Sequence, residues 1–293
     1  MTSSRIRSLP LKSVLSSLLI AGASPAASAD GIASDWVEGF NNKARLLAGR
    51  ATKPGEKQDK LFAAIEIAMP DHWKTYWRAP GDAGGIPPEF DFSASENTAD
   101  VKVLYPAPSR LIDKTGTTIG YYDKVTFPVA VTPKDPSKPV TLKLKAAYGV
   151  CKELCVPAEA EIDLTITPGT GASDDVAAAL ARVPRSPAIP ETDPIVEKWY
   201  IENRNGKPFL IFETADPAIP EASGNAVDAV VDSASGVYLP VPKKTADNQH
   251  RAVFEVDLTD GATAKDLSSL AVRIIVIGGK GHSETAITLP AAN

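Results

Sequence analysis

Cysteine is nearly missing from this sequence: two residues in 293, at positions 151 and 155. Two thiols cannot build a disulfide scaffold or a four-thiolate zinc site. Histidine is almost as scarce, and His72, His250 and His282 lie at metal-ligand spacing neither to one another nor to the cysteines. No basic surplus exists, since 31 Lys and Arg face 36 Asp and Glu for a net charge of -5. A chain without excess cations has little with which to displace counterions from phosphate, which excludes a nucleic-acid binder. Long apolar runs are missing as well; none reaches the ~18 residues of a membrane span. Methionine occurs only at positions 1 and 69, too few for a Met-rich copper site. Proline, by contrast, is abundant at 25 residues, which favours turns and short strands over long helices. With 43% hydrophobic residues the chain can still fill real cores, and intrinsic disorder is excluded.

The first 29 residues read as an export signal. Arg5, Arg7 and Lys12 form a basic start without acids, Val14 to Ala23 is a short apolar core, and Ala27-Ser28-Ala29 supplies a small-residue cleavage site. Removal of this segment takes the charge from -5 to -8 and places the mature chain in an oxidising compartment, the periplasm, where two cysteines usually pair. No cysteine near the cleavage site offers a lipid attachment point.

Short alternating runs dominate the mature chain. Lys43 to Arg50, Leu61 to Ile67, Lys124 to Val131, Val140 to Tyr148 and Ala160 to Ile166 have strand length and composition. In Thr141-Leu142-Lys143-Leu144-Lys145 the period of two is clean, with Leu inward and Lys outward. Pro80-Gly81-Asp82, Pro106-Ala107-Pro108 and the prolines at 133, 136 and 139 supply turns between runs. Regular spacing of short strands predicts an all-β sandwich over residues 30–167. A linker follows at 168–194. It holds a short helix capped by Ser173-Asp174-Asp175, then an extended stretch with Pro184, Pro187, Pro190 and Pro194. A second, smaller β-rich domain is expected over 195–293, with strands at Phe209 to Phe212, Ala226 to Val231, Ala252 to Val256 and Val272 to Ile277.

The most informative segment is Tyr148-Gly149-Val150-Cys151-Lys152-Glu153-Leu154-Cys155-Val156-Pro157. Extended flanks bracketed by Gly149 and Pro157 favour a β-hairpin, which sets the cysteines opposite one another at a bridging distance of about 5.5 Å between Cα atoms. Closing so short a loop removes only ~2 kcal/mol of unfolded-chain entropy, against ~4.7 for a loop of a hundred residues. A short bridge at a sheet end is also open to an attacking thiolate, and Lys152 favours a thiolate at its neighbour Cys151. An exchange couple and a plain hairpin staple are both compatible with these residues.

The surroundings resemble the periplasmic N-terminal domain of the DsbD family of thiol:disulfide interchange proteins, especially the branch related to ScsB. The resemblance runs from about Leu46 to Ile166. It rests on His72-Trp73-Lys74-Thr75-Tyr76-Trp77-Arg78-Ala79-Pro80-Gly81-Asp82-Ala83-Gly84, on Tyr105-Pro106-Ala107-Pro108, on Gly120-Tyr121-Tyr122-Asp123-Lys124-Val125-Thr126-Phe127-Pro128-Val129, and on the cysteine segment. The resemblance implies an immunoglobulin-like sandwich in which Cys151 and Cys155 are the redox pair and Tyr76 borders them, with Cys155 as the attacking thiol. It also implies periplasmic thioredoxin-like proteins as electron acceptors and a membrane-embedded electron donor. The family's membrane and thioredoxin-like domains have no counterpart in these 293 residues, so that donor is expected to be a separate polypeptide. Two departures stand out. Three residues separate the cysteines instead of the five of better-known members, and the stretch matching their aromatic cap loop, Leu111 to Gly116, carries no aromatic.

Other candidates have plainer explanations. Gly278-Gly279-Lys280-Gly281-His282 lacks the spacing and Ser/Thr of a phosphate loop and sits between strand-like runs, as a hairpin turn does. Trp36, Trp73, Trp77 and Trp199 are packing residues, although Trp73 and Trp77 flank Tyr76 and one of them is a candidate to line the redox site. The expected function is thiol:disulfide interchange without an organic cofactor or metal site. The alternatives from other classes are a binding or assembly module with a structural disulfide and a Cu(I)-handling thiol protein. The export reading has a direct check: mass spectrometry of the protein from its native envelope is expected to show Asp30 as the first residue, and an intact Met1 would contradict it.

Overall fold

In the computed structural model the strand-length runs of the sequence become strands, all paired antiparallel. The structure describes residues 1, 32–114, 116–218, 227–248, 251–259 and 263–291. Residues 2–29 of the export segment, His250 and residue 226 of the expected strand Ala226 to Val231 lie outside them. The first unit contains β1 (Ile32–Ala33), β2 (Val37–Gly39), β3 (Asn42–Ala51), β4 (Lys60–Ala68), β5 (Lys74–Tyr76), β6 (Glu89–Asp91), β7 (Thr98–Val103), β8 (Ser109–Asp113), β9 (Gly116–Tyr122), β10 (Lys124–Pro133), β11 (Val140–Cys151) and β12 (Cys155–Ile166). Two sheets, ordered β1-β3-β4-β10-β7 and β12-β11-β5-β9-β8, enclose a core that includes Leu46, Ile65, Phe127, Leu142, Leu144 and Ile162. The architecture is the expected all-β, immunoglobulin-like sandwich.

Period-two patterning explains the hairpin that carries the cysteines. On β12, Ala160, Ile162, Leu164 and Ile166 face the core while Glu159, Glu161, Asp163 and Thr165 face water. A one-residue slip would turn every one of these side chains to the wrong face, so the register is fixed. It pairs Val140 with Ile166 at one end and Cys151 with Cys155 at the other.

Strand β4 has no such alternation, because both of its faces are covered. Ala63, Ile65 and Ile67 point into the sandwich, whereas Phe62 and Ala64 pack outward against Val176 and Leu180 of helix α1 (Asp174–Ala181). Ser173 caps that helix, its hydroxyl accepting from the Val176 N–H, with Asp174 and Asp175 in the first turn as the sequence predicts. Glu66, 2% exposed on β4, is held by Arg45 and Lys124. Burial pushes its carboxyl up, but the hydrogen bonds from Lys124 and Arg45 win and hold it below the usual range.

After α1 the proline-rich stretch is a packed strap and not the open tether that its composition implies. The Arg185 N–H donates to the His282 carbonyl and the Glu284 N–H to the Arg185 carbonyl. The Arg185 guanidinium, 7% exposed, pairs with the fully buried carboxylate of Asp193. The second unit contains β13 (Ile195–Arg204), β14 (Lys207–Ala215), β15 (Asp228–Ser233), β16 (Lys243–Asn248), β17 (Arg251–Asp257) and, after the short helix α2 (Ala264–Leu267), β18 (Ala271–Ile277) and β19 (His282–Thr288). Its sheets, β13-β14-β17-β16 and β15-β18-β19, pack over Leu210, Phe212, Phe254, Val272 and Ile274. Gly278 to Gly281 is the hairpin turn the sequence indicates. The two units meet directly. Val230, Val241 and Ile275 join the core cluster of the first unit, and Arg78 reaches Asp232 (2.7 Å) and Glu284 (3.1 Å).

His282 sits where the strap meets β19, with its buried Nδ1 unpartnered. Burial, reinforced by Arg182 and Arg185 and opposed by Asp193 and Asp216, drives its imidazolium down to a pKa of about 4. The unfolded chain therefore binds a proton near pH 6.5 that the folded chain refuses. Stability is expected to fall as pH drops from about 6.5 towards 4, and His282→Gln to flatten that slope in urea unfolding. Equal slopes in both proteins would contradict the buried neutral imidazole.

Candidate functional site

Cys151 ends β11 and Cys155 begins β12, so the two are direct cross-strand neighbours joined by a disulfide. Their Cα atoms are 4.2 Å apart, closer than the sequence expectation and near the ~4.5 Å of a non-hydrogen-bonded antiparallel pair. Lys152, Glu153 and Leu154 form the tip, tightened by a hydrogen bond from the Lys152 N–H to the Leu154 carbonyl. The twelve-residue ladder beneath holds that tip rigidly. The two sulfurs live in different surroundings: Cys151 is 1% exposed, whereas Cys155 is exposed.

Tyr76, the residue brought in by resemblance, lies against both. Its hydroxyl is 2.9 Å from Cys151 Sγ and 2.8 Å from Cys155 Sγ. Disulfide sulfurs carry no proton, so the phenol is the donor. Burial, with Asp113 adding to it, raises the pKa of Tyr76 above its ordinary value, which keeps the phenol protonated as a donor. Strand β5 places it there. Antiparallel pairing sets Lys74 opposite Cys151, and Tyr76 then falls two residues deeper on the same face. Between them, Thr75 is fully buried and its hydroxyl donates to the Gly149 carbonyl (2.8 Å), tying β5 to β11.

Glycine is required around the Tyr76 ring. A Cβ at Gly149 would come within 3.0 Å of the ring and 2.9 Å of Ile86. Gly85, at φ +155, has its Cα hydrogen directed at the ring, and a Cβ there would overlap the ring carbons. Gly85 therefore lies directly against the phenol ring, and the Gly149 N–H donates to the Ile86 carbonyl (3.1 Å).

Two further residues complete the site. Lys74, 5% exposed, donates to Asp113 Oδ2 (2.6 Å) and Thr118 Oγ1 (3.0 Å). A buried ammonium is tolerable only with such partners. The stretch matching the family's cap, Leu111 to Gly116, thus reaches the site through a carboxylate, while Ile112 faces solvent and Thr115 lies outside the described residues. Lys152 is exposed at the tip and makes no ion pair among the described residues. Trp77 is buried in the core beneath Arg78, and Trp73 packs edge-on against Phe40. Lys74 and Asp113 are the residues the sequence reading missed. Lys74 shares the period-two face with Tyr76, which is a signal that was present, but Asp113 is 39 residues away and only the folded β8–β9 hairpin brings it in.

This arrangement fits what comparison with known proteins finds. Residues 43–167 match the family described as thiol:disulfide interchange protein DsbD, N-terminal. Among solved structures, the N-terminal periplasmic domain of ScsB from Proteus mirabilis is similar, at 19% identity and a TM-score of 0.63. The alignment covers 89% of this chain and 100% of that one, so the shared fold extends into the second unit. No curated protein matches significantly. Among the described residues no helix is long and apolar enough to cross a membrane. Residues 43–167, with the cysteine hairpin at their end, are thus the part of the chain that matches the DsbD N-terminal family.

Proposed function

We propose that this chain is a periplasmic thiol:disulfide interchange protein, exported with cleavage after Ala29, that passes reducing equivalents through Cys151 and Cys155. The observation that carries the reading is the asymmetry of the pair under a shared donor: one cysteine exposed, one buried, and the Tyr76 hydroxyl within reach of both sulfurs. A staple needs neither an exposed sulfur nor a phenol aimed at the bond.

In the reduced protein, the Cys155 thiolate attacks one sulfur of a partner disulfide. A mixed disulfide forms, the partner's S–S bond breaks, and its other sulfur leaves as a thiolate that takes up a proton. Cys151, as thiolate, then attacks Cys155 Sγ. The intramolecular bond re-forms, the mixed disulfide breaks, and the second partner sulfur is released. Two electrons and two protons pass to the partner. A dithiol of a membrane-embedded donor protein reverses the sequence and reloads the pair. The Tyr76 hydroxyl hydrogen-bonds whichever sulfur carries the negative charge, which favours the thiolate as leaving group and as attacker. The acceptors in this reading are periplasmic thioredoxin-like proteins.

Trapping tests the assignment. Cys151→Ser leaves the exposed thiol without its resolving partner and is expected to accumulate a mixed disulfide with a thioredoxin-like protein, visible on non-reducing gels and abolished by reductant. Cys155→Ser is expected to trap far less, because Cys151 is buried. Tyr76→Phe, with both cysteines present, is expected to slow exchange about tenfold by removing a charge-assisted hydrogen bond. If neither serine variant captures a thioredoxin-like protein, the exchange reading fails and the disulfide is structural.

A further inference from the structure

The second unit has no part in the exchange chemistry just described, yet it grips the segment that covers the site. Residues 78–87 leave β5 and cross the boundary between the units. At the start of this segment Arg78 is bound to Asp232 and Glu284 of the second unit. In its middle, Asp82 Oδ1 accepts from the Tyr238 hydroxyl (2.9 Å) and from the Val241 N–H (2.8 Å). At its end, Gly85 lies against the Tyr76 ring and Ile86 against Gly149, whose N–H donates to its carbonyl. A cavity of about 250 Å³ lies behind the segment, lined by Arg78, Pro80, Pro87, Val231, Tyr238 and Val241.

Its own backbone offers little resistance to movement. Gly81, Gly84 and Gly85 all have positive φ, and glycine loses more freedom on ordering than any other residue. Within the first unit the segment is fastened by backbone hydrogen bonds from Ala83 to Thr117, from Ile119 to Pro80 and from Gly149 to Ile86. Asp82 is the point at which the second unit takes hold beside the glycine pair, and what it holds in place is the lid on the phenol that contacts both sulfurs.

We infer that the second unit sets the reactivity of the buried cysteine by holding 82–86 down on the Tyr76 ring, with Asp82 and Tyr238 as positioning residues. The inference rests on the exchange reading for its purpose but not for its test. Releasing the segment frees the ring, lets water and small thiol reagents reach Cys151, and leaves Cys155, already exposed, much as it was. Both contacts converge on a single acceptor atom, Asp82 Oδ1, so the device needs an oxygen there and not a negative charge. An asparagine carbonyl supplies the same acceptor.

The experiment uses the full mature chain with one cysteine at a time. Iodoacetamide alkylation rates of Cys151 are measured in Cys155→Ser, and of Cys155 in Cys151→Ser, across pH 6 to 10 with thermal melts alongside. Adding Tyr238→Phe is expected to raise the Cys151 rate about fivefold, the effect of one lost hydrogen bond, and Asp82→Ala, which loses both, to raise it at least as much, each changing the Cys155 rate less than twofold. Asp82→Asn is expected to restore the original ratio. The proposal is overturned if the ratio of the two rates does not move, if both rates rise together, or if Asp82→Asn behaves like Asp82→Ala. Should Asp82→Ala fail to fold, Tyr238→Phe, which removes only a hydroxyl, decides the matter. An inert disulfide in the trapping experiment together with a moving alkylation ratio would discard the exchange reading and leave the positioning role standing.

Discussion

One phenol organises the site. The Tyr76 hydroxyl must stay within hydrogen-bonding reach of two sulfurs at once, and most of the surrounding structure fixes its ring in that position. Thr75 ties its strand to β11, and Gly149 and Gly85 leave room for the ring. Lys74 and Asp113 place a paired charge next to it. Because the ring is 2% exposed, its proton does not readily leave and its dipole is not diluted by water. A donor so placed stabilises the developing thiolate in either direction of exchange, which suits a relay that must be loaded and unloaded with similar ease.

The cysteine hairpin gives that donor something to act upon. A long ladder in fixed register leaves Cys155 exposed and Cys151 buried beside β5, so that in the proposed exchange a partner would meet Cys155 first. The three-residue tip between the cysteines leaves this division between an exposed and a buried cysteine. Leu111 to Gly116 carries no aromatic, and it is Gly85, from a different loop, that lies against the phenol ring.

Much of this was legible in the sequence, and the parts that were not share a physical cause. Alternation in Thr141 to Lys145 and Ala160 to Ile166 identifies the hairpin because one face is wet and the other dry. Ser173-Asp174-Asp175 identifies the helix because capping is local. Lys74 reads like any surface lysine, since nothing near it in sequence reveals that Asp113 and Thr118 will neutralise and solvate it. Pro184 to Pro194 reads as an extended tether, because proline signals missing N–H donors and says nothing of the Arg185–Asp193 pair that packs the stretch onto β19. The grip of Asp82 on the second unit joins residues more than 150 positions apart, beyond any periodicity argument.

The central claim is that Cys151 and Cys155 form a working redox couple and not a fixed bridge. The reduction potential of the pair in the mature protein, measured by equilibration with glutathione buffers, tests it most directly. The account predicts a potential well above the roughly -300 mV typical of structural bridges, with reduction costing the fold no more than ~2 kcal/mol, the limit set by a five-residue loop. A potential below that value, or a fold that is lost on reduction, would contradict it.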